Sequence, residues 1–249
     1  MNITKIISKV FDSRLKAIDL YDTQAGEIQH RVLTRLVKQA ENTEWGKKYD
    51  YKSIRNYEDF KNRLPIQTYE EVKPYVERLR AGEQNLLWPS EIRWFAKSSG
   101  TTNDKSKFLP VSKESLNDTH YQGGKDAVTL YLAQNPDSRF FSGQGLILGG
   151  SHSPNLNSRH GLVGDLSAIL IQNIHPLVNC VRVPSKKIAL MSDFEKKIEA
   201  IANSAVSKNV TSLSGVPSWM LVLIKRILEK TGKESLEEIW PNLEVFFHG

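Results

Sequence analysis

The 249 residues carry 39% hydrophobic and 25% charged side chains, values of a globular chain with a real core, and they exclude a disordered class. The formal charge of +6 arises from 34 Lys and Arg against 28 Asp and Glu, interleaved as in KRILEKTGKESLEE, which describes a solvated basic surface or one that takes an anionic nucleotide rather than a nucleic-acid groove. A single cysteine, Cys180, excludes an internal disulfide framework or a cysteine zinc site, and no apolar run approaches the roughly 18 residues that span a bilayer, so the cytoplasm and no membrane partner are expected.

In chain order, Ile3, Ile6 and Ile7 are interrupted by Lys5 and Lys9 and form no signal-peptide core. Leu20, Ile28, Val32, Leu33, Leu36, Val37 and Ala40 recur at three- and four-residue spacing and predict an amphipathic helix over 21–42. TYEEVKPYVERL places Thr68 three residues before Glu71, a capping-box spacing, and sets Val72, Tyr75, Val76 and Leu79 on one face of a helix with a bend at Pro74. IRWFAK at 92–97 and KFLPV at 107–111 are β-prone, and Pro110 assigns the second to an edge or a strand end.

Ser112 is set as the N-cap of a long helix through about Ala133, its pattern broken by Gly123 and Gly124. GLILGG at 145–150 reads as a buried strand entering a turn, and Cys180, in LVNCVRV, as a buried, inert cysteine. A Ser192/Glu195 capping box opens a helix whose face is Ile198, Ile201, Ala202 and Ala205, and NVTSLSG follows as a strand. Pro217 suits the first turn of a helix that ends at Gly232, and NLEVFF reads as one more buried strand. The alternation of helices and short strands in the second half predicts an α/β fold with mixed and parallel sheets flanked by helices. The final strand and His-Gly are expected to lie inside a larger domain, of which 1–249 is the N-terminal part.

The chemistry of the chain gathers in SSGTTNDKSK, between the two β-prone segments. Gly100 permits close backbone approach, Ser98, Ser99, Thr101 and Thr102 bring hydroxyls, and Lys105 or Lys107 brings charge, the donors that an anion cradle needs. The same residues also suit an ordinary exposed hairpin loop. Other routes are closed: the chain has no Walker A pattern, GQGLILGG lacks the third glycine of a dinucleotide fingerprint, and no G-x-S-x-G elbow is present. His152 and His160, in GGSHSPNLNSRHG, lack a third ligand at metal spacing, so the segment reads as a flexible loop near an active-site mouth and no residue is assigned to a metal. His120 and Tyr121 read as core or surface.

SSGTTNDKSK resembles the phosphate-binding motif of the adenylate-forming superfamily. TEWGKKYDY, the run from FKNRLPIQTYEEVKPYVERL to SSGTTNDKSKFLPVS, and SLSGVPSWMLVLIKRILE together resemble the auxin-responsive GH-three family of acyl-acid amido synthetases, in particular its bacterial branch, from about residue 29 onward. Asp104 departs from the superfamily pattern, where a second glycine is common. The resemblance implies a ligase, specifically the large N-terminal domain of an enzyme that uses ATP and Mg²⁺ to activate a small carboxylic acid as acyl-adenylate and passes it to an amine such as an amino acid. It implies Ser98, Ser99, Gly100, Thr101, Thr102 and Lys107 as the nucleotide cradle, with Thr101 and Lys107 catalytic. Val216, Pro217, Ser218 and Trp219 are implied as an acyl-pocket wall, although Trp219 also suits a core anchor of its helix. The alternatives are a CoA ligase of the same superfamily, or a binding module whose loop, with Asp104, has lost the nucleotide.

Overall fold

The computed structural model describes residues 3–98 and 107–248. The chain divides into two compact units, one built from Arg14–Asp126 and Pro154–Val163, the other from Met1–Ser13, Ala127–Ser153 and Gly164–Gly249.

In the first unit the long helix spans Asp12–Ala40, earlier at its start than the spacing predicts. Gln24 has non-helical torsions (φ −127°, ψ 23°), and one such residue breaks the 3.6-residue phase on which a continuous face depends. Val37 and Ala40 are buried, whereas Leu20, Val32 and Leu36 of the predicted face stand exposed. The Tyr69–Arg80 helix has the predicted cap: the Thr68 N–H and hydroxyl both donate to Glu71 Oε2, at 2.6 and 2.7 Å. It runs on as one helix across Pro74 and buries Val76 and Leu79 against Leu86, Ile92, Phe95 and Val163.

Strands β1 (Trp94–Lys97) and β2 (Phe108–Val111) pair antiparallel, Lys97 opposite Phe108 and Trp94 opposite Val111. With β3 (Gln144–Leu148) assigned to the second unit, the third strand of this sheet is β4 (Leu162–Gly164), in the order β2-β1-β4. Pro110 therefore lies in an edge strand, where its missing N–H leaves no gap in a ladder. Ser112 Oγ accepts the Ser115 N–H at 3.0 Å, as a cap should. The helix it opens is not uniform: Ser115–Tyr121 is wound as π-helix and Gln122–Gln134 as α-helix, with Gly123 and Gly124 exposed inside the latter and no break there. A π segment closes i→i+5 bonds, so its side chains depart from the 3.6-residue period by which a helix is read from sequence.

In the second unit β3, β5 (Arg182–Val183), β6 (Val210–Gly215) and β7 (Val245–Phe247) form a parallel sheet in the order β5-β3-β6-β7. Leu146, Leu148 and Leu213 of the sheet pack with Ile198, Ile201 and Ala202 of the Phe194–Ala205 helix and with Met220, Leu223 and Ile227 of the Pro217–Thr231 helix. Gly232, at φ 65°, ends the latter helix as predicted, since a glycine takes this left-handed cap without strain.

Three expectations are corrected. The cap of the Phe194–Ala205 helix is Asp193, whose carboxylate accepts the Lys196 N–H at 3.0 Å, rather than Ser192 with Glu195; Asp caps as well as Ser and lies one residue nearer. Cys180 is exposed and not buried, because it lies in the 3₁₀-helix Pro176–Val181, none of whose residues is buried. The last strand, β7, is half-buried and not buried, since it forms the sheet edge.

Candidate active site

Residues 99–106 lie outside the described residues, and with them Ser99, Gly100, Thr101 and Thr102 of the predicted cradle, as well as Asp104 and Lys105. What surrounds them is a hairpin. The Ser98 N–H donates to the Lys107 carbonyl at 2.9 Å, and the Lys107 N–H donates to Ser98 Oγ at 3.3 Å. Ser98 and Lys107 thus close the antiparallel ladder just beyond β1 and β2. The Lys107 ammonium lies 5.4 Å from the centre of the Tyr69 ring.

Further order at this foot comes from the Tyr69–Arg80 helix, which the motif alone does not implicate. Tyr69 Oη accepts the Phe108 N–H at 2.8 Å. The Arg80 guanidinium stacks over the Phe108 ring at 3.9 Å and donates to the Leu156 carbonyl at 2.9 Å. Glu114, in the helix that follows β2, accepts from Ser90 Oγ at 2.7 Å and Trp88 Nε1 at 3.1 Å. Burial works against its charge, but these bonds hold the carboxyl below the ordinary range.

The second unit presents a different site at the carboxyl ends of its parallel strands, the usual position of ligand crevices in α/β sheets. After β3 the chain turns through Gly149, Gly150 and Ser151. Lys197 reaches this turn from the Phe194–Ala205 helix, donating to the carbonyls of Gly149 (3.2 Å) and Gly150 (2.9 Å) while only 3% exposed. Ser167 Oγ accepts the Gly150 N–H at 2.8 Å and Asp165 Oδ2 the Ser151 N–H at 2.8 Å. A side chain on Gly150 would meet Asp165 Oδ2 at 2.2 Å, so only glycine fits here. Burial lowers the Lys197 pKa, and the Asp165 charge offsets part of that shift.

This turn borders a cavity of about 350 Å³ whose other walls are Ser192, Phe194 and Trp219. Trp219 is 36% exposed and meets the Phe194 ring edge-on at 5.8 Å, so it lines the cavity and is not the core anchor that was the other reading. Val216, Pro217 and Ser218, next to it in sequence, are exposed; the described cavity includes none of them. The neighbouring Gly215 has φ 156°, and a Cβ there would meet the Leu148 carbonyl oxygen at 2.6 Å, which fixes how closely β6 ends against β3. Lys197, Asp165 and Ser167 were not read as functional from sequence. The available signal was a Gly-Gly pair at the end of a buried strand, but a lysine inside an amphipathic helix reads as solvated.

His152 is half-buried, bridges Gly164 through its backbone, and has its imidazole pKa pushed down by burial. His160 belongs to the other unit and is exposed. Among the described residues no group of three or more His, Cys, Asp or Glu side chains could hold a metal ion, and no helix is long and apolar enough to cross a membrane.

Residues 14–249 match the GH3 family N-terminal domain. The chain belongs to the GH3 family. Relatives within it include an indole-3-acetic acid-amido synthetase of Arabidopsis thaliana, 31% identical over 107 residues that make up 42% of this chain and 18% of the relative. A jasmonoyl–L-amino acid synthetase of Nicotiana attenuata is 32% identical over 117 residues, 45% of this chain and 20% of that one. Among solved structures, the fold resembles that of the GH3.15 acyl acid amido synthetase, with a TM-score of 0.72 at 17% identity over 93% of this chain and 50% of that one. The AtGH3.15 acyl acid amido synthetase in complex with 2,4-DB gives a TM-score of 0.70 at 22% identity over 87% of this chain and 38% of that one. The chain thus spans half the length of the first GH3 structure, and its aligned stretch about a fifth of the curated relatives.

Proposed function

We propose that this GH3 chain is the N-terminal part of the adenylation domain of an ATP-dependent acyl-acid amido synthetase. In this reading a small carboxylic acid attacks the α-phosphate of ATP, giving acyl-adenylate and pyrophosphate; an amine such as an amino acid then displaces AMP. The observation that carries it is the pairing of the family match over 14–249 with the closed hairpin foot, which brings together Ser98 and Lys107, the two ends of the SSGTTNDKSK segment. Ser98, Ser99, Gly100, Thr101, Thr102 and Lys107 are the proposed nucleotide cradle, and catalysis there is mostly positioning and neutralisation of charge by Thr101 and Lys107. Trp219 is the proposed acyl-pocket wall, supported by its place in the cavity at the carboxyl ends of the sheet; Val216, Pro217 and Ser218 are proposed beside it from the motif.

Mg²⁺ belongs to the same proposal as the ion that accompanies the ATP phosphates, which with water would supply most of its oxygen ligands; among the described residues no group of three or more His, Cys, Asp or Glu side chains could hold a metal alone. The cytoplasmic location and the bacterial branch belong to the same proposal and rest on the sequence; the relatives named above are plant proteins.

Carboxylate-dependent exchange of pyrophosphate into ATP by the full-length protein, across aromatic and aliphatic acids, is the test. Exchange that requires one class of acid and disappears in a Thr101→Ala/Lys107→Ala double variant supports the reading. A folded protein that neither exchanges pyrophosphate nor binds ATP in calorimetry would falsify it and favour the binding module. Acceptance of CoA in place of amino acids would shift it to the CoA ligase.

A further inference from the structure

Tyr69 is the first residue of its helix, set there by the Thr68–Glu71 cap, and it touches the loop's foot in two chemically different ways. The first is through the backbone. In the antiparallel ladder Ser98 and Lys107 bond to each other, so the next pair, Lys97 and Phe108, is a non-bonded one, and the Phe108 N–H and carbonyl point away from β1. Because β2 is the edge strand, no further strand takes these groups. Tyr69 Oη does so, accepting from the Phe108 N–H at 2.8 Å and lying 3.4 Å from the Phe108 carbonyl oxygen. The second contact is through the ring, which holds the Lys107 ammonium at 5.4 Å from its centre, within cation–π range.

From this double contact we infer that Tyr69 is a positioning residue for nucleotide binding: its hydroxyl fixes the strand that carries Lys107, and its ring seats the ammonium at the hairpin foot. The inference rests on the proposed ATP reading. A lysine has three rotatable donors on a four-carbon stem and loses much rotamer freedom when it grips a phosphate. A ring that holds the ammonium near the foot of the loop removes part of that loss before ATP arrives, while an aromatic face, unlike a carboxylate, leaves the positive charge unneutralised. An acidic residue at the same place would compete with phosphate for Lys107. A tyrosine does not.

Calorimetric titration of the full-length protein with ATP tests this through Tyr69→Phe, Tyr69→Leu, Lys107→Ala and the Tyr69→Leu/Lys107→Ala pair. Tyr69→Leu, which loses both contacts, is expected to weaken ATP about threefold to tenfold. Tyr69→Phe keeps the seat and loses the pin, and should fall between it and the native chain. In the Lys107→Ala background the effect of Tyr69→Leu should largely vanish, a coupling that a merely structural tyrosine would not show. Thermal unfolding of each variant separates loss of fold from loss of seat. Equal ATP affinity of the native chain and a folded Tyr69→Leu variant overturns the positioning role and leaves the ATP reading standing, as does an unchanged effect in the Lys107→Ala background. Absence of ATP binding in the folded full-length protein overturns both.

Discussion

The turn after β3 and the foot of the β1–β2 hairpin are held by opposite means. At the turn three side chains of the same unit, Lys197, Ser167 and Asp165, bond the backbone from within, and glycine is obligatory at 150 because the Asp165 carboxylate occupies the space of a side chain. At the hairpin foot the backbone pairs with itself and the outside edge is closed by one phenol and one stacked guanidinium. The first arrangement stakes stability on buried polar groups, which are costly when left unpaired; the second stakes little.

That contrast predicts a ranking of effects. The largest is at the turn: Lys197→Ala strands the Gly149 and Gly150 carbonyls in a buried place and should cost roughly 3 kcal/mol, read as a lower urea midpoint. A loss under about 1 kcal/mol would mean that water replaces the ammonium and the turn is no more demanding than the hairpin. Gly150→Ala comes next at about 2–3 kcal/mol, because its Cβ would lie 2.2 Å from Asp165 Oδ2 and one of them must move. On the hairpin side Arg80→Ala removes the Phe108 stack and the bond to Leu156, and about 1–2 kcal/mol is expected.

A second buried cation sharpens the point from the opposite direction. Arg182 is 4% exposed and donates through Nε to Asn179 at 2.7 Å, but its two terminal nitrogens are buried with no partner among the described residues, and burial lowers its pKa. Arg182→Met should therefore be neutral or stabilise by about 1 kcal/mol, the reverse of Lys197, by the same denaturation measurement. A destabilisation as large as that of Lys197→Ala would show that an unseen anion or water satisfies it.

The smallest effect is electrostatic and exposed. Glu199 accepts from Lys230 at 2.6 Å and Arg226 at 2.7 Å, which lowers its carboxyl pKa to about 2 from 4.5. A depressed folded-state pKa contributes stability that is complete above pH 4.5 and is lost as pH falls toward 2. Glu199→Gln should flatten that acid limb slightly while leaving the midpoint at pH 7 almost unmoved, because exposed pairs contribute little.

Much of the architecture was legible in the amino-acid sequence. The Thr68–Glu71 cap, the edge position of Pro110, the Ser112 cap, the start at Pro217 and the stop at Gly232 are local rules, decided by torsion preference and by backbone groups that need a partner within a few residues. The apolar face of the Phe194–Ala205 helix followed from period alone, as did the α/β class. Ser98 and Lys107 were likewise named from the motif, and the fold brings them together as a closing pair.

What only tertiary structure decided depends on neighbours distant in sequence. Lys197 looks like any solvated lysine until the Phe194–Ala205 helix packs with it facing the end of β3, 47 residues away in the chain. Tyr69 enters the hairpin foot only because β2 is an edge strand with outward-facing backbone groups, 39 residues distant. Cys180 and β7 were misread as buried for the same reason: an apolar run states that a segment can be covered, and the packing of other segments decides whether it is. Local sequence selects helix, strand and cap; which side chain ends up in the dark, and what it must then bond, is settled by the whole chain at once.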